Sequence, residues 1–146
     1  MAQPLVARIT LPRHPASSGV ARSFVLMQLG SWLDDLESMG SAQLIVSELV
    51  GNAVSHGLGE SFDLVLTLTD HLLVLELEEL SAELASATPA PDDAESGRGL
   101  VIVTALSATW GMRATRRGKT VWATLVVRDP LAGPDSSDLH LVGPVA

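Results

Sequence analysis

The sequence contains no cysteine and no tyrosine. Without thiols there is no disulfide framework, no thiolate zinc site and no cysteine nucleophile. Phe24, Phe62, Trp32, Trp110 and Trp122 are the whole aromatic set, too few for a surface on which successive nucleic-acid bases stack. Cations are scarce as well. Nine Lys plus Arg stand against seventeen Asp plus Glu, a formal net charge of −8, and Lys119 is the sole lysine. Duplex DNA and anionic membranes are held by clustered positive charge, so this balance argues against both as partners. No apolar run approaches the length that crosses a bilayer; residues 72–75 and 100–103 are typical of the longer ones. The first ten residues lack the basic and apolar regions of a secretory signal. A soluble, cytoplasmic domain is the expectation. His14, His71 and His140 have no metal-ligand spacing, and no Gly-x-Ser-x-Gly elbow occurs.

The chain has 146 residues, the size of one ordinary domain, and its 47% hydrophobic content supports a real core. Residues 6–11 alternate as a strand does, and Pro12 and Pro15 end the run. Ser17 or Ser18 is placed to cap a helix carrying Val20, Phe24 and Met27 and then Val25, Leu29 and Trp32. Gly30 ends or weakens it, with Asp34, Asp35 and Glu37 on a solvated continuation, and Gly40-Ser41 reads as a break and a new N-cap. Ala42, Ile45, Val46, Leu49, Val50 and Ala53 then recur at helical spacing, and Gly57 sits where a C-cap belongs. Strands are expected at 62–69 and 72–78 about an Asp70-His71 turn, and at 110–116 and 120–127. Residues 80–96, rich in Ala, Ser, Pro and acids, read as a long loop, with a helix beginning near Leu100. Prolines and glycines from Asp129 onward suggest a mobile tail. Strands clustered in this order favour a mixed, mostly antiparallel sheet with helices on one face.

Glu48, Asn52 and His56 recur every fourth residue and so form one polar row beside the apolar stripe of their helix. Taken alone, such a row is better explained by a solvated helix face. The surrounding run Ser47-Glu48-Leu49-Val50-Gly51-Asn52-Ala53-Val54-Ser55-His56-Gly57 resembles the N box of the histidine-kinase-like (GHKL, or Bergerat) ATPases. Downstream, Gly97-Arg98-Gly99-Leu100 resembles their second glycine box. Trp110-Gly111 and Gly118-Lys119-Thr120-Val121-Trp122 resemble the last two strands of one branch, the small bacterial regulators similar to anti-sigma factor serine/threonine kinases; Arg22 and Phe24 also fit that branch. The resemblance spans residues 6–127.

The resemblance implies an α+β, two-layer sandwich of the Bergerat ATP-binding type over residues 1–128, a lid loop at 80–97 and a flexible C-terminal tail at 129–146. It implies ATP and Mg²⁺ as cofactors. Asn52 would be the Mg²⁺ ligand through its neutral carbonyl oxygen, and Glu48 would orient or deprotonate the attacking group. Gly97 and Gly99 would offer backbone N–H groups to phosphate near a helix N-terminus, with Leu100 closing the turn. Arg98 is either a phosphate contact or a surface arginine. Thr120 is a strand former that the resemblance places near the adenine. His56 either contacts the nucleotide or closes its helix. The acidic residue that holds the adenine amino group would be Glu79, with Glu78 as the alternative. It is a methylene longer than the family's Asp.

The Asp-x-Gly-x-Gly box of many relatives is missing, and the loop carries Asp92, Asp93 and Glu95, which would repel a triphosphate. Two functions follow. One is an anti-sigma factor with serine/threonine protein kinase activity toward an antagonist protein, with a sigma factor as its other partner. The alternative is a non-catalytic or degenerate-site module that works by partner switching. Arg22, Gln28 and Trp32 are the candidate partner residues, Trp32 doubling as a core residue. No direct nucleic-acid or membrane contact is expected, and a homodimer is left open.

Overall fold

Alternation and helical spacing are realised as a sheet under a helical layer in the computed structural model, which describes residues 3–57, 59–80, 101–128 and 130–131. The elements run β1 (Leu5–Pro12), α1 (Ser17–Trp32), α2 (Leu36–His56), β2 (Ser61–Thr69), β3 (Leu72–Leu80), β4 (Thr109–Ala114) and β5 (Gly118–Val126). Residues 101–106 are helical as well. The strands form one sheet of order β1-β2-β3-β5-β4. Among the described residues every ladder is antiparallel, in line with the mostly antiparallel sheet expected above. Hairpins join β2 to β3 and β4 to β5, which makes antiparallel pairing the natural outcome. Asp70 opens the first hairpin turn in the left-handed region (φ 53°), which a short polar side chain tolerates.

Register sorts the side chains into two faces. Leu64, Leu66 and Leu68 stand opposite Leu77, Leu75 and Leu73, and the last two face Ala123 and Leu125. This face is buried against Val25 and Leu29 of α1 and Ile45, Val46, Leu49 and Val50 of α2. Val103 joins the same core, and Trp110 Nε1 donates to Thr104 Oγ1 at 2.8 Å, which holds the 101–106 helical segment on that side. Each fully buried aliphatic side chain here contributes about 1.5–3 kcal/mol. The opposite face is polar. Arg8 Nη1 bridges Asp63 (2.7 Å) and Glu78 (2.9 Å), and Arg113 Nη2 reaches Glu76 at 3.1 Å.

Several local expectations change. Gly40-Ser41 is no break: α2 runs through it and begins after Asp35, whose carboxylate accepts the Ser38 N–H (3.2 Å) and hydroxyl (2.5 Å). Asp35 is thus buried, not on a solvated continuation. Ser17 and Ser18 do not cap α1. Its N-cap is Ala16 without a side-chain bond, and the Ser17 hydroxyl donates instead to the Pro12 carbonyl at 2.7 Å. Gly30 lies inside α1, which ends only where Leu33 turns extended. Of the two apolar sets on α1, Val25, Leu29 and Trp32 are buried while Val20 and Met27 face solvent. Past β5 the chain is still held: Leu33 and Pro130 form a bridge, and Leu131 N–H donates to the Trp32 carbonyl at 2.7 Å. Of the expected lid at 80–97 only Leu80 is described, and residues 132–146 of the expected tail lie outside the described residues. No helix among the described residues is long and apolar enough to cross a membrane.

Candidate functional site

The polar row is placed by the buried stripe of α2. With Ile45, Val46, Leu49, Val50 and Ala53 turned to the sheet, Glu48 and Asn52 fall at the margin of the core and are partly exposed, and His56 is exposed in the last turn. The helix ends at Gly57, whose N–H donates to the Ala53 carbonyl at 2.9 Å. Arg13 fastens this end. Its Nε donates to the Gly59 carbonyl (2.7 Å), its Nη1 to the Val54 carbonyl (3.2 Å), and its own N–H to the Glu60 carbonyl (2.9 Å). The Val54 carbonyl is one of the groups that a helix C-terminus leaves without an intrahelical partner.

The last turn of α2 meets the end of β3. Glu79 pairs in register with Phe62 on β2 and Lys119 on β5, so it lies on the helix-covered face of the sheet. It is 3% exposed, and its Oε1 occupies the space a side chain at Gly57 would need. Lys119 Nζ stands 3.7 Å from Glu79 Oε2. A buried carboxylate is kept only where charge or hydrogen bonds compensate its lost hydration, and Lys119 supplies charge. Glu78, the alternative acidic position, points the other way and pairs with Arg8. The geometry therefore separates the two: Glu79 adjoins the polar helix, and Glu78 belongs to the outer face.

Thr120 is buried, but its ladder partners are Glu78 and Arg113. Residues paired directly across a ladder share a face, so Thr120 sits on the outer face and Lys119 takes the place beside Glu79. The structure thus brings Asn52, His56, Gly57 and Glu79 to one end of α2 and leaves Thr120 across the sheet. Gly97, Arg98, Gly99 and Leu100 lie outside the described residues. Arg13 and Lys119 were missed in the sequence. Lys119 had a signal in being the one lysine; Arg13 had none, because its partners lie more than forty positions away.

Among the described residues no group of three or more His, Asp or Glu side chains could hold a metal ion. Mg²⁺ in a nucleotide site makes a smaller demand, because phosphates and waters supply most of its octahedron. Glu48 and Asn52, one turn apart and both reachable from solvent, offer oxygens of the right kind for that demand.

A five-stranded antiparallel sheet covered on one face by helices, with a buried carboxylate at the end of a helix that carries a Glu–Asn–His row, defines a two-layer α+β fold of the kind the motifs implied. Among solved structures the chain is similar to that of the RsbU and RsbW domains of Rv1364c from Mycobacterium tuberculosis, with a TM-score of 0.59 and 20% identity. The match covers 88% of this chain and 33% of that one, so the chain spans about a third of the neighbour's length. At this identity the likeness shows a common, RsbW-like fold. No family model matches the sequence, and no curated protein matches it.

Proposed function

We propose that the chain is an ATP- and Mg²⁺-binding regulator that acts as an anti-sigma factor and phosphorylates serine or threonine on an antagonist protein. The observation that carries this reading is the buried Glu79 carboxylate, set against Gly57 at the foot of the Glu48–Asn52–His56 row. A buried acid facing a helix end can accept a hydrogen bond from an exocyclic amino group, which is what distinguishes adenine. Asn52 would hold Mg²⁺ by its carbonyl oxygen. The ion, when bound, would neutralise charge on the phosphates. Glu48 stands one turn further along and would take the proton of the attacking hydroxyl. The RsbW-like fold supports the same reading, because it supplies the two-layer architecture that the reading requires.

A second reading, a partner-switching module with a degenerate nucleotide site, is favoured by one observation. Lys119 Nζ lies 3.7 Å from Glu79, and its charge competes for the carboxylate that an adenine would use.

Calorimetry with Mg²⁺-ATP decides between the two readings. Micromolar binding that Asn52→Ala reduces at least tenfold is the expected result, with Glu48→Ala keeping the nucleotide but losing phosphoryl transfer. A wild-type chain that binds no nucleotide sinks the kinase reading and leaves the module.

A further inference from the structure

The cations of this acidic chain are mostly committed. Arg8, Arg113, Lys119 and Arg128 each stand within ion-pair distance of a carboxylate, and Arg13 is spent on backbone carbonyls. Arg22 on α1 is exposed and makes no ion pair among the described residues, and Arg116 and Arg117 form an adjacent pair of this kind. They are exposed at the tip of the β4–β5 hairpin, where Thr115 N–H and the Gly118 carbonyl close the turn at 2.8 Å, and among the described residues neither makes an ion pair. The turn closes through backbone groups, so the fold does not call for either guanidinium. Two adjacent free cations next to Lys119, on a body of net charge −8, make a local positive point in a negative field.

Its position matters. Lys119 pairs with Glu79 and Gly118 with Leu80, so the tip projects from the sheet end that holds the candidate site. The hairpin behind it carries Trp122, whose indole covers Gly111 so closely that a Cβ there would overlap the ring. Arg113 pairs with Thr120, the second residue before Trp122 on the same face. Tryptophan and arginine are the residues that carry most interface energy.

We propose that the Arg116–Arg117 turn is the docking point for an acidic segment of a partner protein, holding it at the mouth of the candidate site. Nucleotide phosphate is the poorer occupant. On the reading above, on which this point rests, the phosphates lie toward Asn52, whose backbone is about 7.5 Å of helix rise from Gly57. Nucleic acid is poorer too, because two or three cations on an acidic body cannot replace the extended basic stripe that backbone contact requires.

The test uses the full chain and a fluorescein-labelled peptide of glutamates and glycines, followed by anisotropy in about 50 mM salt without nucleotide. Wild type is expected to bind, and Arg117→Glu to weaken binding roughly fivefold to tenfold, in line with one lost and reversed exposed pair. A Leu36→Glu/Leu44→Glu variant, which adds the same two negative charges at exposed positions of α2, is the charge-matched control and is expected to change binding less than twofold. Mg²⁺-ATP affinity of Arg117→Glu should equal that of wild type, and since the peptide is measured without nucleotide, a chain that binds no ATP leaves this test intact. The proposal is overturned if wild type ignores the peptide, or if Leu36→Glu/Leu44→Glu costs as much as Arg117→Glu. It is equally overturned if a single-stranded oligonucleotide binds more tightly through the same arginines, or if Arg117→Glu abolishes self-association of the chain instead.

Discussion

At Gly57 the backbone is extended (φ −77°, ψ 171°), a conformation open to any residue, yet a Cβ there would overlap both the Ala53 carbonyl oxygen and Glu79 Oε1. Gly57→Ala must therefore displace the helix end or the carboxylate, at a cost of about 1–3 kcal/mol in urea denaturation. Gly51, one residue before Asn52, has nothing near its would-be Cβ, and Gly51→Ala should cost nothing or gain up to about 1 kcal/mol. Asp35 gives a pH-dependent counterpart. The Ser38 hydroxyl, then the Arg128 and Ser38 backbone N–H groups, hold its carboxyl down at about 2 against an ordinary 3.8, with burial opposing them. A lowered native pKa means stability that is present above about pH 4 and is lost as the pH falls toward 2, amounting to about 2 kcal/mol. The stability gap between wild type and Asp35→Asn should shrink over that window in denaturation curves taken at several pH values. At this scale spacing put Glu48, Asn52 and His56 in one row, and it was the resemblance that singled the row out as a candidate site. Glu79 was preferred to Glu78 only by resemblance, because adjacent strand residues face opposite sides and the register says which is inward.

Among the elements, α2 shows both what local signals reveal and what they conceal. Its buried stripe from Ala42 to Ala53 was readable, and so was its end at Gly57. Its start was not. Gly40-Ser41 looks like a break, but the stripe continues back to Met39, which is buried, and the cap is Asp35, completed by Arg128 from 93 positions away. Tertiary packing outweighed a local glycine signal whose whole cost is about 1 kcal/mol. That cost is recoverable. Gly40 is exposed and has nothing within reach of an added Cβ, so Gly40→Ala should stabilise the protein by about 0.5–1 kcal/mol, visible as a rise of a few degrees in Tm. The succession of strands along the chain and both hairpins were legible from alternation and turn residues. That every ladder is antiparallel was not, since pattern alone does not say which strands neighbour which.

For the whole molecule, the segment after β5 ties the sheet to the helical layer at the pole away from the candidate site. Val127 N–H donates to the His71 carbonyl (2.8 Å) and the Arg128 N–H to Asp35 Oδ2 (2.9 Å), and Pro130 and Leu131 pair with Leu33 and Trp32. The β2–β3 turn and the α1–α2 junction are thus held together by one short strap. Nothing in the Pro- and Gly-rich composition from Asp129 onward signalled it, because its bonds are backbone bonds to residues far back in the sequence. The decisive contact is the Arg128 N–H to a carboxylate that is 1% exposed, since removing a partner from a buried charge costs more than an exposed pair contributes. A chain ending at residue 127 should therefore unfold about 2–4 kcal/mol more easily than one ending at residue 131, read from urea midpoints at equal m values. Arg128→Ala keeps the N–H and loses a guanidinium that is 70% exposed and stands 2.8 Å from Glu37, itself 80% exposed, and 3.6 Å from Asp35 Oδ1. It should cost no more than about 1 kcal/mol. If Arg128→Ala matched the shorter chain instead, the exposed ion pair and not the backbone bond would be what holds the two layers together.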